Sequence, residues 1–192
     1  MDTVTGWYFS EESRLLRYGD ARPIAIGVTH AVDAPIELCR RGLHASVRAI
    51  DALEYAPGPI VWRVELSGEI KAGHDKCVAT RRTYIAGGVD ASVVMRALAR
   101  RCALDVAHMW DMPDVVREYL TTGDESIRAA AWAVAWAVAG AAAGAAAWAT
   151  AGDAAWATAG AAAWAAARAT AGAAASDAQN AHFESMLMEL CK

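Results

Sequence analysis

Basic runs are missing from this sequence: lysine and arginine total 18 against 22 aspartates and glutamates, the formal charge is -4, and no cationic run exceeds a pair. Nonspecific affinity for nucleic acid comes from basic side chains that displace counterions from phosphates, so a nucleic-acid partner is not expected. Cys39, Cys77, Cys102 and Cys191 include no C-x-x-C pair. Their spacing argues against a zinc knuckle or a dithiol redox centre and for reduced structural thiols. The opening stretch MDTVTGWYFSEESRLLRYGD carries charge at once and lacks the apolar core of a secretory leader, which points to the cytoplasm. The sharpest shortage is local: residues 129–175 contain only two charged side chains, Asp153 and Arg168.

What is present divides by composition near TTGDESIR into a globular mixture over 1–123 and an Ala/Trp-rich extension over 124–192. In the first part PIAIGVTH and PIVWRVELSGEI are rich in β-branched residues and bracketed by proline and glycine, so they read as strands and as sheet neighbours. Between them SVRAIDALEYA spaces Val47, Ile50, Leu53 and Ala56 as one face of a helix, and PGP stops it. DASVVMRALARRCALDVAHMW predicts a second helix with Asp90 as its cap, and MPDVVREYLTTG a third ended by Gly123. The expected fold class is α+β: a small mixed sheet domain followed by an antiparallel helical hairpin.

The hairpin expectation comes from a repeat. Every fourth position from 128 to 176 reads Arg, Trp, Trp, Gly, Gly, Trp, Gly, Trp, Gly, Trp, Arg, Gly, Ser, and alanine precedes each of them from Ala131 to Ala175. Alanine and the absence of proline favour helix, although each glycine costs about 1 kcal/mol. At about 100° per residue a four-residue repeat drifts about 40° per step. Trp132, Trp136, Trp148, Trp156 and Trp164 would therefore spiral around one straight helix, and a break at Gly152 and Asp153 resolves this by folding the tract into two antiparallel helices. Residues 129–152 carry no charge, yet alanine is barely apolar and no basic cluster orients a span, so no membrane insertion is expected.

Chemistry-bearing residues gather in LCRRGLHASVRAIDALEYAPGPIVWRVELSGEIKAG. His44 and Ser46 sit at the turn that enters the first helix, where Ser46 is suited to be its N-cap, and Tyr55 lies near its end. In GHDKCVATRRTY, Lys76, Arg81 and Arg82 are candidates for an anion-binding patch. His74 and Asp75 have no third ligand at useful spacing, so no metal site is expected.

YGD, LCRRGLHAS, AIDALEYAPGPIVWRVELSGEI and the following DK resemble a family of uncharacterised proteins encoded by bacteriophages and prophages. Several of these also carry Ala/Trp repeats and an ending like SDAQNAHFESMLMEL. That resemblance implies a phage context, the cytoplasm of a bacterial host and no particular reaction. GLHAS, a helix ending in YA and the strand VWRVEL are also similar to ADP-ribosyltransferase-like folds, where such elements build an NAD cleft. This similarity implies NAD as the cofactor and His44, Ser46 and Tyr55 as catalytic candidates that hold the nicotinamide ribose and stabilise an oxocarbenium-like transition state. The late strand with a Glu/Gln-x-Glu element that such folds carry is not visible here.

Two functions follow. In the first, the protein is a non-enzymatic interaction module without cofactor, whose tryptophans anchor a host protein such as a defence or regulatory component, or a second copy of the chain. In the second, it binds or uses a nucleotide at His44, Ser46 and Tyr55. Replacing Trp148, Trp156 and Trp164 by alanine should abolish capture of a partner in the first case and leave His44→Ala without effect. In the second, NAD should raise the melting temperature and His44→Ala should remove that shift.

Overall fold

The computed structural model describes residues 3–105, 107–109, 111–135, 137 and 175–192. Its longest extended stretch is a hairpin in which strand β4 (Ile60–Ala72) pairs antiparallel with β5 (Cys77–Asp90) across a turn closed by the Gly73 N–H on the Lys76 carbonyl, 2.8 Å. Strand β1 (Val4–Ser10) adds to the far edge of β4. The opposite edge of β5 carries two short strands end to end: β2 (Thr29–Ala31) against 81–83 and β3 (Leu43–Ala45) against 77–79.

Every pairing in this five-stranded sheet is antiparallel, which corrects the mixed sheet expected from the sequence. The two expected strands are not neighbours either. PIAIGVTH contributes only its end to β2, because Gly27 at φ 83° turns the chain and donates its N–H to the Tyr84 carbonyl of β5. Three strands escaped the sequence reading. β1, β3 and β5 were not expected, although β5 carries Arg81 and Arg82 of the anion-binding candidates.

Register shifts in the β4–β5 pairing bend the sheet. Val61 pairs with Val89 but Trp62 pairs with Gly87, so Gly88 is left over as a bulge. A Cβ on Gly88 would lie 2.7 Å from the Trp62 ring, and its φ of 77° is one that side chains disfavour. The curl then brings the sheet's ends together: Trp7 of β1 and Ser46, just after β3, exchange both backbone hydrogen bonds at 2.7 and 3.1 Å. The approach is close enough that a Cβ on Gly6 would stand 2.8 Å from the Ser46 carbonyl oxygen.

Cross-strand partners share a face, so the register sorts the core. One face carries Trp62, Val64, Leu66, Tyr84, Ala79 and Ala45, covered by Leu16 and Ile24. The other carries Trp7, Phe9 and Val61, all at most 2 % exposed. Helix α1 (Ala49–Glu54) packs beside β1 through buried Ala49 and Ala52, within the stretch the sequence predicts.

The N-cap of α1 is Arg48, without a side-chain cap, and not Ser46. The helix is capped from the far end of the chain: Ala49 N–H donates to Glu184 Oε1 at 3.1 Å and Ile50 N–H to Asn180 Oδ1 at 3.1 Å. Both acceptors sit on the helix over 175–190, whose Phe183 and Leu187, one turn apart, are fully buried. Glu184 Oε1 also accepts from Trp7 Nε1 at 3.2 Å.

The chain divides into two compact units, Met1–Met95 with Ala178–Lys192, and Arg96–Asp177. The reason is physical: residues 178–192 supply core side chains and helix caps to the sheet domain. Helix α2 (Ser92–Asp105) starts where Asp90 accepts the Ser92 N–H at 2.7 Å, as its capping role predicts. Helix α3 (Asp114–Thr122) ends at Gly123 with φ 70°, also as expected. Within the second unit Met112, Val116 and Ala131 are buried together, and residues 128–135 of the Ala/Trp tract are helical. The hairpin turn at Gly152 and Asp153, and Trp136, Trp148, Trp156 and Trp164, lie outside the described residues. No helix among the described residues is long and apolar enough to cross a membrane.

Phe183→Ala should lower the unfolding free energy by about 3–5 kcal/mol, read from urea denaturation followed by tryptophan fluorescence. Glu184→Ala should cost about 1–3 kcal/mol and Glu184→Gln less, since the amide oxygen still accepts. An unchanged midpoint for Phe183→Ala would show that the C-terminal helix lies outside the core of this domain.

Candidate ligand-binding cleft

Around the junction of β1 and β3 opens a cleft of about 670 Å³, a volume that suits a small organic ligand. Its walls come from Trp7, Tyr8 and Phe9 of β1, the loop after β1, the turn before β3, β3 itself, the end of α1, and Lys76 and Arg82. His44, Ser46 and Tyr55, the expected catalytic candidates, all line it. Of the expected anion-binding residues, Lys76 and Arg82 line it and Arg81 does not. Successive side chains on a strand point to opposite faces, so Arg82 is turned inward and Arg81 stands exposed.

Arg82 is the central group. It is 3 % exposed, and among the described residues no carboxylate pairs with it. Its Nε and Nη2 donate to the Tyr84 hydroxyl at 3.1 and 2.7 Å, Nη1 donates to the His44 carbonyl at 2.6 Å, and its guanidinium lies 3.7 Å from the centre of the Tyr8 ring. With five N–H groups on a guanidinium, one stays available on each terminal nitrogen.

Behind it the polar atoms are satisfied in sequence. Tyr84, fully buried, takes two bonds from Arg82 and gives its proton to His30 Nδ1 at 3.2 Å, while His30 Nε2 donates to the Pro23 carbonyl at 3.1 Å. Burial, with Arg22 and Arg82 nearby, pulls the His30 pKa below its ordinary value, which keeps the ring neutral as this chain requires. Burial likewise pushes the Tyr84 phenol up, against the opposing pull of Arg82.

His44 is half-buried on β3, and its Nε2 accepts the Cys39 N–H at 3.0 Å. Cys39 has φ 67° within a tight turn that bridges Glu37 and Arg41, so His44 holds the turn that sets Arg40 and Arg41 at the cleft. Burial first, then Lys76 and Arg82, lower its pKa, though a bond at the Gly42 backbone works the other way. A neutral imidazole with Nε2 already engaged positions the cleft; it is not free to take a proton from a ligand through that nitrogen.

Tyr55, at the C-cap of α1, donates its hydroxyl to Asp75, which raises the phenol pKa and lowers that of the carboxyl. Lys76 lies 3.6 Å from the centre of the Tyr55 ring. Burial opposes the Lys76 charge, but hydrogen bonds to Cys39 and Tyr55 outweigh it and its pKa is raised. Arg17, Arg40 and Arg41 complete the cationic lining, against which Asp20 is the one carboxylate. Asp20 is already paired with Arg22 through two bonds of 2.6 and 2.7 Å. Among the described residues no three His, Cys, Asp or Glu side chains gather as a metal site.

Trp7, Tyr8 and the residues of the loop after β1 were missed as site residues. The signal for Trp7 and Tyr8 was the unbroken aromatic run in GWYF, which is that of a strand buried on both faces.

Residues 23–97 match a family model described as a domain of unknown function, DUF7666. The matched stretch holds β2 to β5 and most of the cleft wall, and leaves out β1 and the C-terminal helix. No curated protein matches the chain, and no solved structure does.

His30 and His44 both have folded pKa values below the ordinary 6.5. The unfolded chain therefore binds more protons in that window, and stability that is full above the unfolded value is lost as pH falls below it. The melting temperature should drop as pH goes from about 7.5 to about 5.5, and His30→Gln should flatten that slope. Asp20 and Asp75, held below 3.8, act only at lower pH and, as exposed groups, add little. A melting temperature independent of pH in that range would contradict the neutral assignment of both rings.

Proposed function

We propose that the cleft binds a phosphate-bearing small molecule. The observation that carries this reading is Arg82: a guanidinium almost wholly buried, with no carboxylate partner among the described residues, on the wall of a cavity of ligand size. Burying a charge is costly unless it is paired, and a guanidinium with two N–H groups left over suits a phosphate or carboxylate. Lys76 and Arg41 add positive charge to the lining, as do Arg17 and Arg40, which are paired with Glu11 at 3.7 Å and Glu37 at 3.3 Å.

NAD is the first compound to test, because His44, Ser46 and Tyr55 line the same cleft and their pattern is similar to that of ADP-ribosyltransferases. His44 supports such a ligand through the Cys39 turn and the carbonyl that holds Arg82, and Tyr55 through a protonated hydroxyl at the rim. A second reading, the docking of a host protein or a second copy of the chain, is favoured by Trp132, which is 67 % exposed on the helix over 128–135. Lys76, Arg82 and the cleft are not needed for that role.

Thermal-shift measurements at low salt with millimolar pyrophosphate, ADP and NAD test the cleft. At least one should raise the melting temperature, by an amount corresponding to about 2.7 kcal/mol at a hundredfold excess over its dissociation constant. Lys76→Glu, a surface change, should reduce that shift, and Arg82→Gln should abolish it in a chain whose far-ultraviolet spectrum is unaltered. No shift with any of the three would reject the reading.

A further inference from the structure

The loop after β1 is not a slack connection. Leu16 and Ile24 anchor it in the core, at 9 % and 4 % exposure, and Leu15 bridges to Pro23. Leu16 N–H donates to the Arg22 carbonyl at 2.9 Å, Ala21 N–H to the Leu16 carbonyl at 3.2 Å and Ile24 N–H to the Arg14 carbonyl at 2.8 Å. Arg22 braces the tip from within, with both bonds to Asp20 and a third to the Ala31 carbonyl at 3.1 Å.

This stiff arm holds its residues in an unusual backbone. Arg14, Tyr18 and Ala21 have φ of 52°, 63° and 54°, in the left-handed region that residues other than glycine rarely enter. Such conformations persist where the surroundings over-determine them, and they cluster at ligand clamps. What the arm presents is Tyr18, 94 % exposed on the lining of the cleft, with the Arg17 guanidinium 4.9 Å from its ring centre.

We propose that Tyr18 is the residue that selects the ligand's ring: it stacks on a planar heterocycle whose phosphate sits at Arg82, so the ligand class is a nucleotide and not a sugar phosphate or an inorganic anion. The inference rests on the phosphate-binding reading of the cleft. A braced arm loses little backbone freedom when its tyrosine stacks, and every nucleobase offers a π-face to that ring. The cation behind the ring strengthens the sandwich. Tyr55 does not offer the same surface, because it is 42 % exposed against 94 % for Tyr18 and its hydroxyl is already given to Asp75.

Isothermal titration of the full chain with ADP and with pyrophosphate separates the possibilities, using wild type, Tyr18→Ala and Tyr18→Trp. Tyr18→Ala should weaken ADP about ten-fold and leave pyrophosphate unchanged, and Tyr18→Trp should keep the affinity for ADP. Undiminished ADP binding by Tyr18→Ala overturns the inference and leaves the cleft reading standing. Equal loss of ADP and pyrophosphate overturns it as well, since that pattern marks a structural role. If neither compound binds the wild-type chain, the inference fails, and the cleft reading fails with it when NAD does not bind either.

Discussion

Two backbone hydrogen bonds between Trp7 and Ser46 join the ends of a curled sheet, and the cleft has walls because they form. Only glycine at position 6 permits that approach. Trp7 is itself fixed from two sides, by Glu184 at its indole nitrogen and by the Arg63 guanidinium 4.6 Å from its ring. The same Glu184 oxygen caps α1, the helix that begins three residues after Ser46 and ends at Tyr55. Strand junction, helix start and C-terminal helix are thus one mechanical unit.

The electrostatics of the cleft follow from how Arg82 is housed. An ion removed from water costs several kcal/mol even after relaxation. Three hydrogen bonds to a charged donor return about 1.5–3 kcal/mol each, and stacking on Tyr8 adds about 2 kcal/mol in a dry setting. These terms offset the burial, so the folded chain holds the cation ready without a ligand. Tyr84 and His30 serve this arrangement by passing hydrogen bonds outward to the Pro23 carbonyl, which is why a buried histidine is neutral there.

Much of the local structure was legible in the residues. The spacing in SVRAIDALEYA located α1, Asp90 and Gly123 marked real helix boundaries, and VWRVEL was a strand. The centre of the sheet was not legible. In CVATRRTYIAGGVD the alternation that signals a strand is masked by an arginine at a buried position and by two glycines that belong to a bulge. A buried guanidinium among apolar positions reads as solvated until its tyrosine and carbonyl partners are known. Lys76 and Arg82 were named for their charge, whereas the distinction between Arg82 and Arg81 depends on which way β5 faces.

The sequence by itself determined what lies within a few residues along the chain: helix periods, caps, turns, and the sharp change of composition at the Ala/Trp tract. Tertiary structure alone decided which residues share the cleft and what completes the sheet domain. Ala49 and its capping carboxylate are 135 positions apart, and Trp7 and Glu184 are 177 apart. A local pattern records no partner at that distance, because periodicity and capping signals depend on neighbours about one helical turn away. The closure of the curled sheet and the return of its C-terminal helix are contacts between remote segments, and they exist only once the chain has folded.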